Sequence, residues 1–331
     1  MEQQSLNAEL KAFCLKERDR IRNRHQFGIG GQEIVLEYTC LADSVVKRIY
    51  RSTLEEGILL ARTPVVILAV GGYGREDLNL YSDIDIMIVY DDKKIKLEYI
   101  ELFATKVITA LWDIGFDVGH SCRSIKDCVQ VTLGDIFSRT SMIEARYIVG
   151  ARTVYQKFKK QISKNVFKKQ VKTFINKKIE EWEDRHQAYG STIYLQEPNL
   201  KESVGGLRDF HTAVWLTSVS YGINKIDQLW KHGVISEVFY RRCTESIDFL
   251  LHLRNELHYI SGRKNDKLNF ELQEKASKNL GYKDKACTLA EESLMRDYYL
   301  HAEHIYEFAK LIIDQTRHRA YSLTHWLIHQ W

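Results

Sequence analysis

The sequence predicts an α+β chain, with its strands gathered in the first half and helices filling the second. Three observations carry this. The chain has 331 residues, more than one core of ordinary size requires, so two domains are expected. Two short apolar runs rich in β-branched residues, Val65 to Val70 and Ile84 to Val89, are bounded by turn residues and read as buried strands. Elsewhere apolar residues recur at helical spacing, as far as the stripe in MRDYYLHAEHIYEFAKLI. The expected boundary divides a domain of strands and flanking helices over residues 1–150 from a helical one over 151–331.

Composition narrows the function classes. A net charge of +4 is mild for this length; it does not call for nucleic acid and it suits an anionic substrate. Six cysteines, Cys14, Cys40, Cys122, Cys128, Cys243 and Cys287, lack CxxC pairs and zinc spacing. They read as free thiols of a cytoplasmic protein, with Cys40 expected in a helix core. The opening MEQQSLNAELKAF is polar and charged, unlike a signal peptide, and no apolar run reaches membrane-spanning length.

In chain order, Ser5 to Arg24 reads as a charged helix, broken at Gly28, Gly30 and Gly31. Glu33 to Leu54 follows as a second helix, with Val35, Leu41, Val45, Val46 and Ile49 near helical spacing. The first strand stops at Gly71-Gly72-Tyr73-Gly74, read as a turn whose glycines leave backbone amides unobstructed. Two aspartates open the second strand. Strand side chains alternate, so Asp83 and Asp85 point the same way, roughly 6.5 Å apart at Cα. Ile84, Ile86 and Ile88 take the opposite face, so the core sets the register and the register aims both carboxylates at one spot. Such a pair repels unless a cation lies between, and Mg²⁺ prefers oxygen ligands and shares them with nucleotide phosphates. The pattern implies a metal-dependent nucleotidyl transfer site. Asp-x-Asp alone carries almost no information, and a strand end with two solvated aspartates is the plain alternative. The glycine pair ahead and Ser82 just before favour the functional reading.

Leu97 to Trp112 is amphipathic, with Ile100, Phe103, Val107, Ile108 and Leu111 on one side, and Gly115 ends it. Phe116-Asp117-Val118 reads as a short third strand with Asp117 on a polar face. Ser124 to Arg152 reads as helical. The lysine-rich stretch 153–189 carries Phe158, Ile162, Val166, Val171, Phe174 and Ile175 as an apolar stripe. It reads as the solvated face of amphipathic helix, not a nucleic-acid surface, because its aromatics sit on the core stripe. In QEPNLKESVGGLRDFHT, Pro198, Gly205 and Gly206 make a loop before a helix that starts near Leu207. A glycine pair opening a helix near Lys201 and Arg208 suits an anion.

The tract GGYGREDLNLYSDIDIMI resembles the signature of the nucleotidyltransferase superfamily that includes DNA polymerase β. LWDIGFDVGHSCRS, TSMIEARYIVGA, QEPNLKESVGGLRD and FLLHLRNELHYISGRKNDKLNF resemble tracts of one branch, the bacterial PII uridylyltransferase/uridylyl-removing enzymes. The likeness runs from the Gly28–Gln32 turn to about Leu311.

The resemblance implies a polymerase β-like nucleotidyltransferase domain, a small mixed sheet with flanking helices, followed by an all-helical domain. It implies uridylyl transfer from UTP to a tyrosine of a PII nitrogen-regulatory protein, releasing pyrophosphate, with two Mg²⁺ ions. Asp83 and Asp85 take the places of metal ligands. Asp117 takes that of the third carboxylate, as ligand or base, with Asp113 its rival. Gly71 and Gly72 fall where the family holds nucleotide, and Ser82, Lys201, Gly205, Gly206 and Arg208 are further nucleotide-binding candidates. Arg146 would reach the triphosphate or form a structural salt bridge. His120 and Arg123 line the site or pack at the surface; Arg254 and His258 face nucleotide or brace helices. The family also carries a metal-dependent HD hydrolase domain and two ACT domains. No histidine here is followed by aspartate, so the chain as given is expected to lack uridylyl removal and glutamine control. The alternatives are adenylyl or other nucleotidyl transfer to another protein or a small molecule, and a truncated, non-catalytic nucleotide-binding module.

Overall fold

In the computed structural model residues 2–58, 63–93, 95–166 and 171–328 are described, with side chains described except at 2–4, 165–166 and 320–328. The chain divides into two units. The first is Met1–Phe27 with Glu33–Val166, and the second is Gly28–Gln32 with Phe167–Trp331.

The first unit is built on one sheet. The run Val65–Val70 forms β1, buried on both faces except at Val70, as an unbroken β-branched run should be. It passes directly into α3, Gly71–Gly74, a single helical turn where the sequence suggested only a turn. Strand β2, Ile84–Tyr90, pairs antiparallel with β1, Val70 opposite Asp85 and Val65 opposite Tyr90. Helix α4, Leu97–Ile114, buries the expected Ile100, Phe103, Val107, Ile108 and Leu111 and stops at Gly115, whose φ of +99° a side chain would resist. Full burial of Phe103 alone is worth about 1.5–3 kcal/mol. This helix carries the chain across to β3, Val118–Ser124, which lies parallel to β2 over seven residue pairs. With a fourth strand, β4 (Arg146–Gly150), the order is β3-β2-β1-β4, a mixed sheet. Helices α1 (Glu2–Gln26), α2 (Gly31–Glu55) and α7 (Arg152–Val166) flank it.

Three sequence expectations are corrected here. The third strand is not a short one through Asp117: it begins one residue later and runs to Ser124. As an edge strand joined through a helical crossover, it needs little apolar content to be held. Ser124 to Arg152 is not helical throughout. It holds α5 (Ile125–Gly134), started by a reciprocal Ser124/Asp127 cap, then α6 (Ile136–Glu144) and a strand, β4 (Arg146–Gly150). The β-branched Ile148 and Val149 find pairing partners on the other edge of β1, through a shift in register between Ile67 and Leu68. Cys40 is exposed, off the buried face formed by Val35, Tyr38, Ala42, Val45 and Ile49. All six cysteines are free.

The second unit is helical: α8 (Val171–Ala188), α9 (Leu207–Tyr221), α10 (Ile226–Lys231), α11 (Glu237–Ser261), α12 (Phe270–Asn279) and α13 (Ala290–Ile328). Its core holds Leu216, Leu250, Leu253, Leu257, Tyr298, Ala302, Ile305 and Phe308. The lysine-rich stretch therefore divides between the units, α7 with the first and α8 with the second. Phe158, Ile162, Phe174 and Ile175 of its stripe are buried, and Val171 is half-buried; the Val166 side chain lies outside the described residues. Gly28–Gln32 packs on α11. The Gln32 amide donates to the Asp248 carboxylate at 2.9 Å, and a side chain at Gly31 would stand 2.2 Å from the His252 nitrogen. Among the described residues no helix is long and apolar enough to cross a membrane.

Candidate active site

The acids of the first unit meet through strand register. Asp85 lies on β2 between Val70 of β1 and Gly119 of β3. Parallel pairing of Ile84 with Val118 sets the residues just ahead of them, Asp83 and Asp117, side by side at the sheet's entrance, and the Ile84 amide donates to the Asp117 carbonyl at 2.9 Å. Strand alternation puts Asp85 on the face opposite the buried Ile84, Ile86 and Ile88, and continued one residue past the strand ends it would carry Asp83 and Asp117 to the Asp85 side. Asp83 and Asp117 are exposed and Asp85 is half-buried. Asp113, the rival, sits in α4 and accepts from Asn7 at 3.0 Å.

Two glycines frame the Asp85 carboxylate. A Cβ on Gly71 would stand 2.6 Å from Oδ2, and one on Gly119 would stand 2.2 Å from Oδ1. Gly71 also has φ of +60°, a conformation glycine adopts freely. As the first residues of a helical turn, Gly71 and Gly72 have no intrahelical partner for their amides. Ser82, half-buried, hangs from the Asn79 carbonyl at 3.0 Å by its own amide.

The glycine turn is anchored by residues the sequence reading left out. Tyr73 has no exposed surface and its phenol donates to Asp43 on α2 at 2.7 Å. Burial, then the Asp43 charge, push that phenol well above its ordinary pKa. Arg75 pairs with Asp77 at 3.1 Å and with Glu144 at the end of α6. Gly74 lies so close beneath that a Cβ would stand 2.6 Å from the Glu144 carbonyl. Just beyond, Glu76 holds φ of +68°, which costs a non-glycine residue roughly 1–2 kcal/mol. The signal available was GGYGRED itself, an aromatic and an arginine inside a glycine turn, but their partners are remote in sequence. Arg146 does not sit on a helix, as the sequence suggested: it opens β4 and its guanidinium is engaged by Asp43.

The remaining candidates lie in the second unit, far from the aspartates in sequence. The Gly205 amide donates to the Asp209 carboxylate at 2.8 Å and that of Gly206 to the Ser203 carbonyl at 2.8 Å. The next two amides, of Leu207 and Arg208, are taken by the Leu200 and Lys201 carbonyls. The start of α9 is thus occupied internally, which weighs against an anion there. Gly205, at φ of +76°, presses on the Ala302 carbonyl of α13. Asp209, fully buried, also binds Arg185 and the His186 Nε2. Lys201 and Arg208 share Glu202, at 3.7 and 3.3 Å. Burial, then the Arg208 and Arg254 charges, lower the Lys201 pKa. Arg254 and His258 both donate to Asp266, at 2.7 and 3.4 Å. The tracts around Pro198 and Asp266 are joined by the Asn199–Lys267 bridge, so Arg254 and His258 form the bracing network.

Whether this face suits a divalent cation turns on its donors. Asp83, Asp85 and Asp117 offer oxygen alone, the donor type Mg²⁺ prefers, and Gly71 and Gly119 leave the space beside Asp85 clear. Among the described residues no three acidic, histidine or cysteine side chains are already gathered as an ion's ligands. The fold thus supplies a shared acidic face and not a closed cage.

A small mixed sheet carrying a glycine turn and an acidic strand end is a nucleotidyltransferase-type arrangement, and residues 19–122 match the family described as "Putative nucleotidyltransferase DUF294". Residues 173–313 match the family described as "GlnD PII-uridylyltransferase". The chain is similar to proteins named bifunctional uridylyltransferase/uridylyl-removing enzyme. It is 33% identical to that of Caulobacter vibrioides over 301 residues, 89% of this chain and 32% of the relative. It is 30% identical to that of Azospirillum brasilense over 312 residues, 93% and 33%, and 31% identical to that of Rhodospirillum rubrum over 323 residues, 95% and 34%. The family resemblance read from the sequence is borne out. The chain spans about a third of the length of these relatives.

Proposed function

We propose that the chain transfers a uridylyl group from UTP to a tyrosine hydroxyl of a PII-type signalling protein and releases pyrophosphate. The observation that supports this is the β2–β3 pairing of Ile84 with Val118 and Asp85 with Gly119, with the Ile84 amide on the Asp117 carbonyl, in a chain whose relatives are named bifunctional uridylyltransferase/uridylyl-removing enzyme. Asp83 and Asp85 would hold divalent metal, with Asp117 as a further ligand or as the base. Bound Mg²⁺ would supply Lewis-acid polarisation of the phosphoryl oxygens.

The protein's own contributions follow from placement. Asp117 is exposed at the end of the sheet, where it would serve as a further metal ligand or take the proton the acceptor hydroxyl loses. Gly71 and Gly72 let the backbone approach the triphosphate closely, and their amides donate to its oxygens. Free thiols at all six cysteines agree with a reducing cytoplasmic setting.

The test is transfer of label from α-labelled nucleoside triphosphates to a purified PII protein, run with each of the four bases. Asp83→Asn with Asp85→Asn should abolish transfer and leave the protein folded, with unfolding stability changed by about 1 kcal/mol or less. Wild-type transfer by that double variant sinks the site; equal transfer from ATP and UTP sinks the uridylyl assignment.

A further inference from the structure

Arg146 offers a guanidinium to a triphosphate only if it is released from its present contacts. Nη1 and Nη2 donate to the two Asp43 oxygens at 2.8 and 3.0 Å, a bidentate fork. Nη2 also reaches the Tyr73 carbonyl at 3.3 Å, and the guanidinium lies 5.3 Å from the Tyr73 ring centre. The Tyr73 phenol donates to the same Asp43 carboxylate. One arginine and one aspartate therefore grip both the main chain and the side chain of the residue that follows Gly72. On the other flank Arg75 pairs with Glu144, two residues before Arg146. Just past these clamps Glu76 is left-handed, and ahead of them the Gly71 backbone lies against Asp85 with no room for a Cβ. The strained, close-set turn and its two ion-paired clamps are one construction.

We propose that Arg146 is a positioning residue for the transfer reaction: with Asp43 it fixes Tyr73, and through Tyr73 the Gly71–Gly72 backbone against Asp85, without touching the nucleotide. This rests on the transfer activity proposed above. A misplacement of about 1 Å at a reacting centre lowers rate about 100-fold, so a clamp of this kind acts on turnover more than on binding.

The variants are Arg146→Lys, which keeps the charge and loses the fork, Asp43→Asn, and the two combined. Tyr73→Phe, which removes one hydroxyl, is the mild member should the others fold poorly. Expected are kcat losses of roughly 10- to 100-fold in both single variants, with KM for UTP within about threefold of wild type. The double variant should be no worse than the poorer single, since the two residues act as one unit. Tyr73→Phe should lose several-fold in kcat.

Hydrogen exchange of the 71–77 amides should quicken in all four variants, a readout that needs no acceptor or nucleotide. A wild-type rate for Asp43→Asn beside a large, selective rise in KM for Arg146→Lys would make Arg146 a phosphate ligand and overturn the proposal; so would unchanged exchange of the turn. If the wild type transfers to no acceptor, the proposed function fails, and the exchange result alone then decides whether the clamp exists.

Discussion

Replacing Gly119 by alanine separates catalysis from folding more cleanly than removing a carboxylate. The new Cβ would stand 2.2 Å from Asp85 Oδ1, where ordinary contact begins at 3.4 Å, so the carboxylate must retreat by about 1.2 Å. The next nearest atom, Asp85 Cγ, is 3.4 Å away, so nothing beyond the tip of one side chain has to yield. A single displaced rotamer costs about 0.5–1.5 kcal/mol of stability. A shift of that size at a reacting group lowers rate about 100-fold, near 2.7 kcal/mol of transition-state stabilisation. Transfer should therefore fall by two orders of magnitude while the urea midpoint moves only slightly. Gly134→Ala, at the end of α5 with no heavy atom within 4 Å of the added methyl, is the matched control and should transfer normally. Both assays run on the same preparations, label incorporation for the first and fluorescence-detected unfolding for the second. Normal transfer by Gly119→Ala would refute the idea that the Asp85 carboxylate works from the place it occupies.

Gly205→Ala should be far more damaging to the fold. Its φ is +76° and the added methyl would meet the Ala302 backbone carbonyl at 2.2 Å, so a loss on the order of 3 kcal/mol is expected in a denaturant titration. The helical unit should also weaken in acid. Burial alone would raise the Asp266 carboxyl, but the His258 hydrogen bond and Arg254 charge outweigh it and hold it well below the ordinary carboxylate range. That stability is complete above the unfolded pKa of about 3.9 and drains away as pH drops toward the folded value. His258, lowered chiefly by burial, loses stability in the same sense from about pH 6.5 downward, where the unfolded chain takes the proton first. Asp266→Asn should cost roughly 3–5 kcal/mol at neutral pH and flatten the steepest acid limb between pH 4 and below. A thiol reagent should label Cys40, Cys122 and Cys287 in the native protein and all six cysteines once unfolded. Cys122 should react slowly, since burial, then Glu101, push its thiol up to about 11.

The parts of this fold that could be read from sequence are those fixed by local pattern. The β-branched runs of β1 and β2, the stripe and glycine stop of α4, and the start of α9 after Gly206 each depend on residues within a few positions. The alternation that puts Asp83 and Asp85 on one face is equally local. What escaped depends on distant partners. Arg146–Gly150 is a strand because an edge of β1 was vacant for it, and no periodicity over five residues announces that. Asp43 becomes part of the site's support through Arg146, 103 residues away. Gly119 matters because parallel pairing sets it against Asp85, a register that follows from a crossover helix and cannot be read from GHSCRS. Cys40 was assigned to a core on residue type, and the helix simply turned it outward.

Asp83 and Asp85 take their spacing from the register of β2. Their spacing is kept by Ile84, Ile86 and Ile88, greasy residues on the far side of the sheet that no reagent or nucleotide would ever meet. A variant catalogue for this protein should thus contain silent-looking changes among those isoleucines that abolish turnover, because a slide of one position would send Asp85 into oil.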